Sequence, residues 1–155
     1  MHDQLKIMPA DIDVVVKSIQ MHDTPVDESK TPARVGLAIK GTTADMISRG
    51  DILCSAFTEL SDNMIKVASD ENILTAKFRR NPYFKGQVSE NQNYMLAIGL
   101  QIKPAKIRRI TNDNHNITII EFAPEKPVVY IPNQVFLLLK LDSPGMRIVG
   151  QGVTT

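Results

Sequence analysis

Arginine and aspartate side chains grouped in one short turn are the residues of this sequence best suited to bind a ligand. Arg49 and Asp51 flank a glycine, and Asp45 lies four residues before Arg49. A guanidinium in a turn recognises phosphates and carboxylates by its charge and its paired hydrogen bonds. Neighbouring carboxylates either join in that recognition or form a salt bridge with the arginine. The pattern predicts a charged turn at the start of a strand, and a purely structural, salt-bridged turn is one interpretation of it.

No arrangement typical of an enzyme accompanies this turn. His2, His22 and His115 lie far apart without the spacing of a metal site, and Cys54 stands alone in an apolar run. The sequence contains no nucleophile elbow, no Cys–His pair and no Gly-x-x-x-x-Gly-Lys-Ser/Thr phosphate-binding loop. We therefore expect recognition rather than catalysis, with no cofactor or metal held by these 155 residues.

The composition suits one domain or two small ones. The chain has 155 residues, 43% of them hydrophobic, which is ample for a core. No run approaches the roughly 18 apolar residues that a membrane helix needs, and the start lacks the basic and apolar regions of a secretory signal. A single cysteine excludes an internal disulfide. We predict a cytoplasmic protein without a membrane partner.

The net charge of +1 does not by itself predict a nucleic-acid-binding protein. Residues 1–56 carry six Lys and Arg against eight Asp and Glu, whereas residues 57–155 carry twelve against nine. A contact with RNA is therefore expected to use a local patch on the second half. The candidate cations there are Arg79, Arg80, Lys85, Arg108 and Arg109. Charge pairs on a solvated face are the other interpretation of the last two.

Short strands are the elements that must position these residues in the first half. Val35, Leu37 and Ile39 alternate with smaller or polar residues, which is typical of a half-buried strand. Gly41 ends this strand, and a helical turn follows before a strand begins at Ile52. Two further strands are predicted at residues 5–9 and 14–21, with a polar connection at 22–32.

The second half reads as a longer series of strands. The residue pattern changes at 57–63, which predicts a linker between two series of strands. The predicted domains are therefore residues 1–56 and 57–155. No window has sustained helical periodicity, and an asparagine-rich hairpin turn is predicted at residues 112–116. The series predicts an antiparallel barrel or sandwich. Its strands are predicted at residues 64–67, 73–78, 94–100, 105–111, 117–122, 128–131, 135–142 and 146–153.

The strand that ends at Gly41, followed after six residues by Ser48-Arg49-Gly50-Asp51-Ile52-Leu53, resembles the second domain of translational GTPases of the elongation factor Tu type. The archaeal selenocysteine-specific elongation factors are the nearest of these. Residues 16–22 resemble the preceding family strand, and residues 146–153 resemble the closing strand of the third domain. The resemblance implies an all-β chain of two packed antiparallel β-barrel domains. The first would be incomplete, because the family's opening strands would lie before Met1.

The resemblance also implies a function in translation. The chain would bind aminoacyl-tRNA and work with the ribosome and with the GTPase domain of the same factor, without binding DNA. GTP and Mg²⁺ would belong to that GTPase domain, outside this chain. Arg49, Asp51 and Asp45 would help form the pocket for the aminoacylated 3′ end. A family glutamate is replaced there by Met46.

The third-domain resemblance places the remaining RNA contacts. Gly145 and Arg147 match a family turn near the surface that meets the stem of the tRNA, and Arg79 and Arg80 would add charge. A simple turn after Pro144 is the other interpretation of the glycine.

A protein-interaction module is the alternative function. Such a module would dock on a GTPase or on the translation machinery without touching RNA, and the near-neutral charge favours it. A barrel without its first strands also exposes backbone edges. We therefore expect residues 1–56 to pack on the second barrel or to pair with another copy of the chain.

Overall fold

The chain is all-β, as the sequence predicts. The computed structural model describes residues 3–55, 64–112 and 117–155, and these consist mainly of strands and turns, with one short 3₁₀ helix. The chain divides into two compact units, Met1–Asp62 and Asn63–Thr155. The predicted linker at 57–63 and most of the predicted hairpin turn at 112–116 lie outside the described residues.

The first unit is an open antiparallel sheet built around its longest strand. Its strands are β1 Gln4–Met8, β2 Ile12–Met21, β3 Thr24–Val26, β4 Gly36–Lys40 and β5 Ile52–Ser55. Strand β2 pairs with β1 and β3 along one edge and with β4 along the other, and β5 pairs with β1. Strands β3, β4 and β5 each pair with a single strand in the described part of the unit.

A small apolar core holds this sheet together. Ile7, Val14 and Val16 are its buried side chains, each at most 4% exposed. The polar connection predicted at 22–32 is partly wrong, because β3 lies within it. His22 and Asp23 take positive φ angles of 49° and 62°, as the central residues of a type I′ hairpin do.

The second unit contains a closed antiparallel barrel of six strands. They run in the order β10-β7-β13-β12-β8-β9, and β6 and β11 form a separate two-stranded sheet. The bounds are β6 Lys66–Ala68, β7 Leu74–Arg80, β8 Asn93–Ile98, β9 Gln101–Asn112, β10 Thr118–Pro124, β11 Val128–Tyr130, β12 Val135–Leu139 and β13 Ile148–Thr154.

Alternating side chains of these strands fill the barrel. Along β8 and β12, Tyr94, Leu96, Phe136 and Leu138 are at most 2% exposed, while the residues between them face outward. Phe136 meets Phe122 edge to face, with ring centroids 5.4 Å apart. The barrel therefore has a packed interior, and its ligand-binding surfaces must lie on its outer wall or its loops.

Several strand ends differ from the sequence prediction, including the following three. Strand β12 ends at Leu139 instead of residue 142, because the next residue's amide bonds to the carbonyl of Arg147 and begins a hairpin turn. Strand β7 continues to Arg80, which pairs in register with Gly150. Strand β9 begins at Gln101, directly after the tight turn at 99–100.

Candidate nucleic-acid interface

The predicted ligand-binding turn of the first unit is a tight four-residue turn. The amide of Asp51 donates to the carbonyl of Ser48 at 3.1 Å, and Gly50 has a φ of 96°. A positive φ at the third position is what a type II turn requires, and glycine provides it without strain. The carboxylate of Asp51 accepts a second bond, at 2.7 Å, from the amide of Ser48. Asp51 therefore holds the turn closed.

Arg49 occupies the exposed corner of this turn. The ion pairs among the described residues involve Lys6, Lys30 and Arg108, and Arg49 takes part in none of them. The salt-bridged turn that the sequence left open is therefore not what the structure shows. Arg49 is an exposed cation on a turn that two hydrogen bonds between Ser48 and Asp51 close.

Asp45 lies just before this turn, in the 3₁₀ helix Ala44–Met46. A hydrogen bond from the side chain of Thr43 lowers the pKa of its carboxyl, and the residue's own backbone N–H lowers it further. Met46 and Ile47 follow with exposures of 52% and 38%. The turn thus presents one cation, one carboxylate and two apolar side chains together.

In the second unit, the adjacent arginines Arg79 and Arg80 have different tasks. The Nη2 atom of Arg80 donates to the carbonyls of Phe84 and Gly86, both at 2.8 Å. Arg80 therefore holds the loop 81–86 against the end of β7. Arg79 makes no such bond in the described structure and faces Gln151 across the strand pair.

Arg79 and Arg80 line a groove of about 310 Å³ on the barrel. Asn81 and Pro82 form its loop side, and no carboxylate belongs to the lining that the structure describes. The other lining residues are Leu137, Ile148, Gly150 and Gln151. We call this cavity the Arg79 groove.

A second cavity, of about 540 Å³, lies on the other side of the same loop. It runs between the loop 81–86 and the turn that joins β12 to β13, and we call it the Tyr83 groove. Its lining consists of Tyr83, Phe84, Lys85, Gly86, Lys140, Ser143, Pro144, Gly145 and Met146, again without a carboxylate among the described residues. Gly145 lies on its wall, and Arg147 follows in the same exposed turn.

The remaining predicted candidates lie in structural positions. Arg108 forms an ion pair with Asp70. Arg109 stands opposite Glu121 in the β9–β10 ladder and takes part in none of the ion pairs of the described residues. The thiol of Cys54 donates to the carbonyl of Lys6 at 3.5 Å.

Two further searches of the described residues concern metals and membranes. No cluster of three or more His, Cys, Asp or Glu side chains with a geometry suited to a metal ion occurs among them. In the same described ranges, no helix has the length and apolar character needed to cross a lipid bilayer.

Sequence reasoning missed one residue of the Tyr83 groove. Lys140 falls inside the predicted strand 135–142, but in the structure it directly follows β12 at the start of the turn. Its Nζ lies 5.9 Å from the centroid of the Tyr94 ring. The Ser143-Pro144-Gly145 segment was the available signal, because it requires the chain to leave the sheet nearby.

The fold, an open sheet followed by a six-stranded barrel, is that of a region of a translation elongation factor. No family model matches the chain. The chain is 30% identical over 163 residues to the selenocysteine-specific elongation factor of Methanocaldococcus jannaschii, covering 97% of this chain and 34% of that protein. It is 32% identical over 151 residues to an uncharacterized protein of the same organism, covering 97% of this chain and 44% of that protein.

Solved structures agree with the sequence comparison. The translation elongation factor SelB of Methanococcus maripaludis matches in its apo form with a TM-score of 0.76, and in complex with the GTP analogue GPPNHP with a TM-score of 0.80. Both matches have 27% sequence identity and cover 99% of this chain and 36% of that one. The chain is therefore homologous to the selenocysteine-specific elongation factor, and it spans less than half the length of each of these relatives.

Proposed function

We propose that this chain is the aminoacyl-tRNA-binding β region of an elongation factor related to the selenocysteine-specific factor. In this proposal GTP and Mg²⁺ are bound, and GTP is hydrolysed, by a domain outside these 155 residues. The observation that carries the proposal is the 30% identity to that factor along 97% of the chain. Its partners would be aminoacyl-tRNA, the GTPase domain and the ribosome, in the cytoplasm.

The turn around Arg49 supports the proposal in the first unit. An exposed guanidinium without a carboxylate partner in the described structure is suited to the terminal phosphate or sugar of a tRNA acceptor end. Met46 and Ile47 offer apolar surface beside it for a base or an amino-acid side chain. Asp45, whose carboxyl pKa the bond from Thr43 lowers, offers a hydrogen-bond acceptor.

The second unit supports the proposal through its surface charge. The Arg79 groove and the Tyr83 groove together are lined by four cationic side chains, with no carboxylate in the described linings. Phosphate contacts need this type of surface, although the chain as a whole has a net charge of only +1. The four lining cations are Arg79, Arg80, Lys85 and Lys140.

The test is equilibrium binding of the full chain to aminoacylated tRNA. Removing one charged hydrogen bond costs about 1.5–3 kcal/mol, so we expect Arg49→Ala to weaken binding by about tenfold or more. Arg34→Ala, which removes another exposed arginine of the same unit, is the matched control. The affinity should also fall as salt rises. Equal affinities for the two variants would contradict the assignment of Arg49.

A protein-interaction module remains a second candidate function, and one observation favours it. Ile102, Ala97 and Leu137 stand in direct register across three neighbouring strands on the outside of the barrel. Ile102 is 59% exposed, and nearby Val135 is 62% exposed. An exposed apolar face of this kind marks a protein contact.

This second candidate is tested with a charge on that face. Leu137→Asp should abolish binding of the part of M. maripaludis SelB outside the matched region, added as a separate polypeptide with GPPNHP. Ile73→Asp, at a half-exposed position of the same barrel, is the control. If Leu137→Asp removes this binding and the unaltered chain does not bind tRNA, docking is the function of the chain.

A further inference from the structure

One edge of the sheet in the first unit is open to an added strand. Strand β4 pairs with β2 on one side, and its other side makes no backbone hydrogen bond in the described structure. Proteins usually protect such an edge with a charge, a proline or a bulge in the edge strand itself. Residues 36–39 contain neither a charge nor a proline, and the bulge of this strand pair lies in β2. The backbone of β4 is therefore suited to pair with an extended peptide.

One face of the sheet beside this edge is apolar. Val35 and Leu37 line a cavity of about 600 Å³ there, and Leu37 is 37% exposed. Strands β1 and β2 contribute further apolar side chains to the same cavity, and the connection 29–33 forms another part of its wall. A side chain that an added strand directs to this face would therefore meet apolar surface. The apolar residues from β1 and β2 are Leu5, Val16 and Ile19.

The other face of the sheet is cationic beside the same edge. Lys40, Lys17 and Lys6 line a cavity of about 640 Å³, which we call the Lys40 cleft. Lys6 is paired with Asp11 at 2.7 Å and with Asp13, the one carboxylate of the described lining, at 3.5 Å. Lys17 and Lys40 take part in no described ion pair. Two ammonium groups without a carboxylate partner in the described structure therefore line one cleft.

This concentration of positive charge is unusual for the first unit. Residues 1–56 carry six Lys and Arg against eight Asp and Glu, yet three of those six cations line the Lys40 cleft. Like charges that share a cleft repel one another. An anionic group bound between them would relieve this repulsion, so the charge pattern favours an acidic ligand.

Small residues of β4 leave a path from the open edge to Lys17. Ala38 stands opposite Ser18, the chain neighbour of Lys17, in the β2–β4 ladder. Gly36 has no positive φ, and a Cβ there would meet only atoms of Gln20, at 3.9 Å, so the fold does not require a glycine. A glutamate of an added strand beside Ala38 can therefore reach over its methyl group to the ammonium group of Lys17.

We propose that the open edge of β4 binds an extended peptide of alternating acidic and apolar residues as an added strand. Its acidic side chains lie at Lys40 and Lys17, and its apolar side chains lie beside Leu37, because successive residues of a strand point to opposite faces. A peptide fits this edge better than a nucleic acid does. Only a peptide offers N–H and C=O groups to the edge together with apolar side chains to the face of Leu37. This inference goes beyond the proposed function and does not depend on binding of tRNA.

The experiment measures binding of the full chain to a short synthetic peptide in which valine and glutamate alternate. We expect binding that weakens as salt rises, because the ion pairs are screened. We also expect slower amide hydrogen exchange within residues 36–40 in the complex. Two control peptides should not bind. One has lysine in place of glutamate, and the other has the same composition with all valines before all glutamates.

Strand pairing is tested with two N-methylated forms of the valine–glutamate peptide. Alternate amides of a strand point to opposite sides, so methyl groups on one alternate set block the bonds to β4, and methyl groups on the other set do not. One form should therefore bind like the parent peptide, and the other should not bind. Equal affinities of the two forms would mean contact through side chains alone and would overturn the assignment.

The two lysines are tested with the same peptide. Lys40→Gln and Lys17→Gln should each weaken its binding by about 1.4-fold to 5-fold, the range for one exposed ion pair. Both side chains are exposed, so neither change should alter the melting temperature. Lys126→Gln, in an exposed turn of the second unit, is the matched control and should leave the affinity unchanged. Equal affinities of all three variants would contradict the role of the Lys40 cleft.

The possible results separate this inference from the proposed function. If the unaltered chain binds charged tRNA but not the peptide, the edge assignment is wrong and the function stands. If it binds the peptide in only one N-methylated form and binds no tRNA, the inference stands and the function is wrong. If Lys40→Gln weakens binding of charged tRNA and leaves peptide binding unchanged, the cleft is an RNA contact and the inference is overturned. If sedimentation shows a dimer whose β4 amides are protected without any peptide, a second copy occupies the edge and the inference is also wrong.

Discussion

Replacing Gly150 with alanine is expected to destabilise the barrel, because its strand has no room for a methyl group. A Cβ there would lie 2.5 Å from the backbone oxygen of Arg79 and closer still to the ring of Phe78, whereas real Cβ atoms stay at least 3.0 Å away. The Arg79 oxygen belongs to a strand that is hydrogen-bonded on both sides. The Phe78 ring is only 8% exposed. Neither can move without disturbing the pairing of β7 with β13.

The cost of this substitution follows from known overpacking effects. Extra methyl groups in a packed core cost about 1–3 kcal/mol. Each kcal/mol lowers the melting temperature of a domain of this size by about 4–8 °C, so a cost near 2 kcal/mol lowers it by roughly 8–16 °C. Gly145→Ala is the matched control. It should leave the midpoint unchanged or raise it slightly, because the added methyl group meets nothing within 4 Å.

The assay is thermal unfolding followed by intrinsic tyrosine fluorescence. The sequence has no tryptophan, and its three tyrosines, Tyr83, Tyr94 and Tyr130, all belong to the second unit. The signal therefore reports on the barrel even if the two units unfold separately. Equal midpoints for Gly150→Ala and Gly145→Ala would refute the packing argument.

Three further predictions concern single polar groups. In urea unfolding, Arg80→Ala should lower the free energy of unfolding by about 1 kcal/mol, because two charge-assisted bonds of a partly solvated guanidinium are lost. Arg79→Ala should change it by no more than about 0.5 kcal/mol. Gln101→Leu should cost about 3 kcal/mol in the same assay, because it leaves the buried amide and carbonyl of Val129 without their partner. An NMR titration should give the Asp45 carboxyl a pKa below its usual value of about 3.9, and Thr43→Val should raise that pKa. Any stability that this carboxylate contributes is present above about pH 3.9 and is lost as the pH falls through its lower pKa in the folded state. A carboxyl pKa that Thr43→Val does not change would contradict the hydrogen bond from Thr43.

Local patterns predicted the strand content well because they depend on neighbours in the chain. The alternation of Val35, Leu37 and Ile39 predicted β4, although Leu37 is 37% exposed on an edge strand. The pattern did not predict β3, because its hairpin uses His22 and Asp23 at positions where glycine and asparagine are the usual signals.

The site residues were harder to predict because their tasks depend on distant contacts. Arg79 and Arg80 are identical in type and adjacent in sequence, yet only the second reaches the carbonyls of the following loop. That difference arises from the pairing of β7 with β13, which brings Asn81 to Val149. Lys140 joins the Tyr83 groove only through the same barrel closure. No local pattern contains this information.

The two candidate sites are built in the same way. In each, one polar residue fixes a turn or loop by hydrogen bonds, and another residue of that turn or loop is exposed to the ligand. In the first unit, Asp51 closes the turn that presents Arg49. In the second, Arg80 anchors the loop that presents Lys85. If this is correct, the holding residues affect RNA binding only through the residues that they position. Their effects should then fail to add.

Double-substitution cycles test this coupling. Asp51→Ala should weaken binding of charged tRNA in the unaltered chain but have almost no further effect in an Arg49→Ala background. Arg80→Ala should behave in the same way towards Lys85→Gln with the same ligand. Additive losses in the first cycle would mean that the carboxylate of Asp51 contacts the RNA itself. Additive losses in the second would mean that the guanidinium of Arg80 does so, despite its two bonds to the loop.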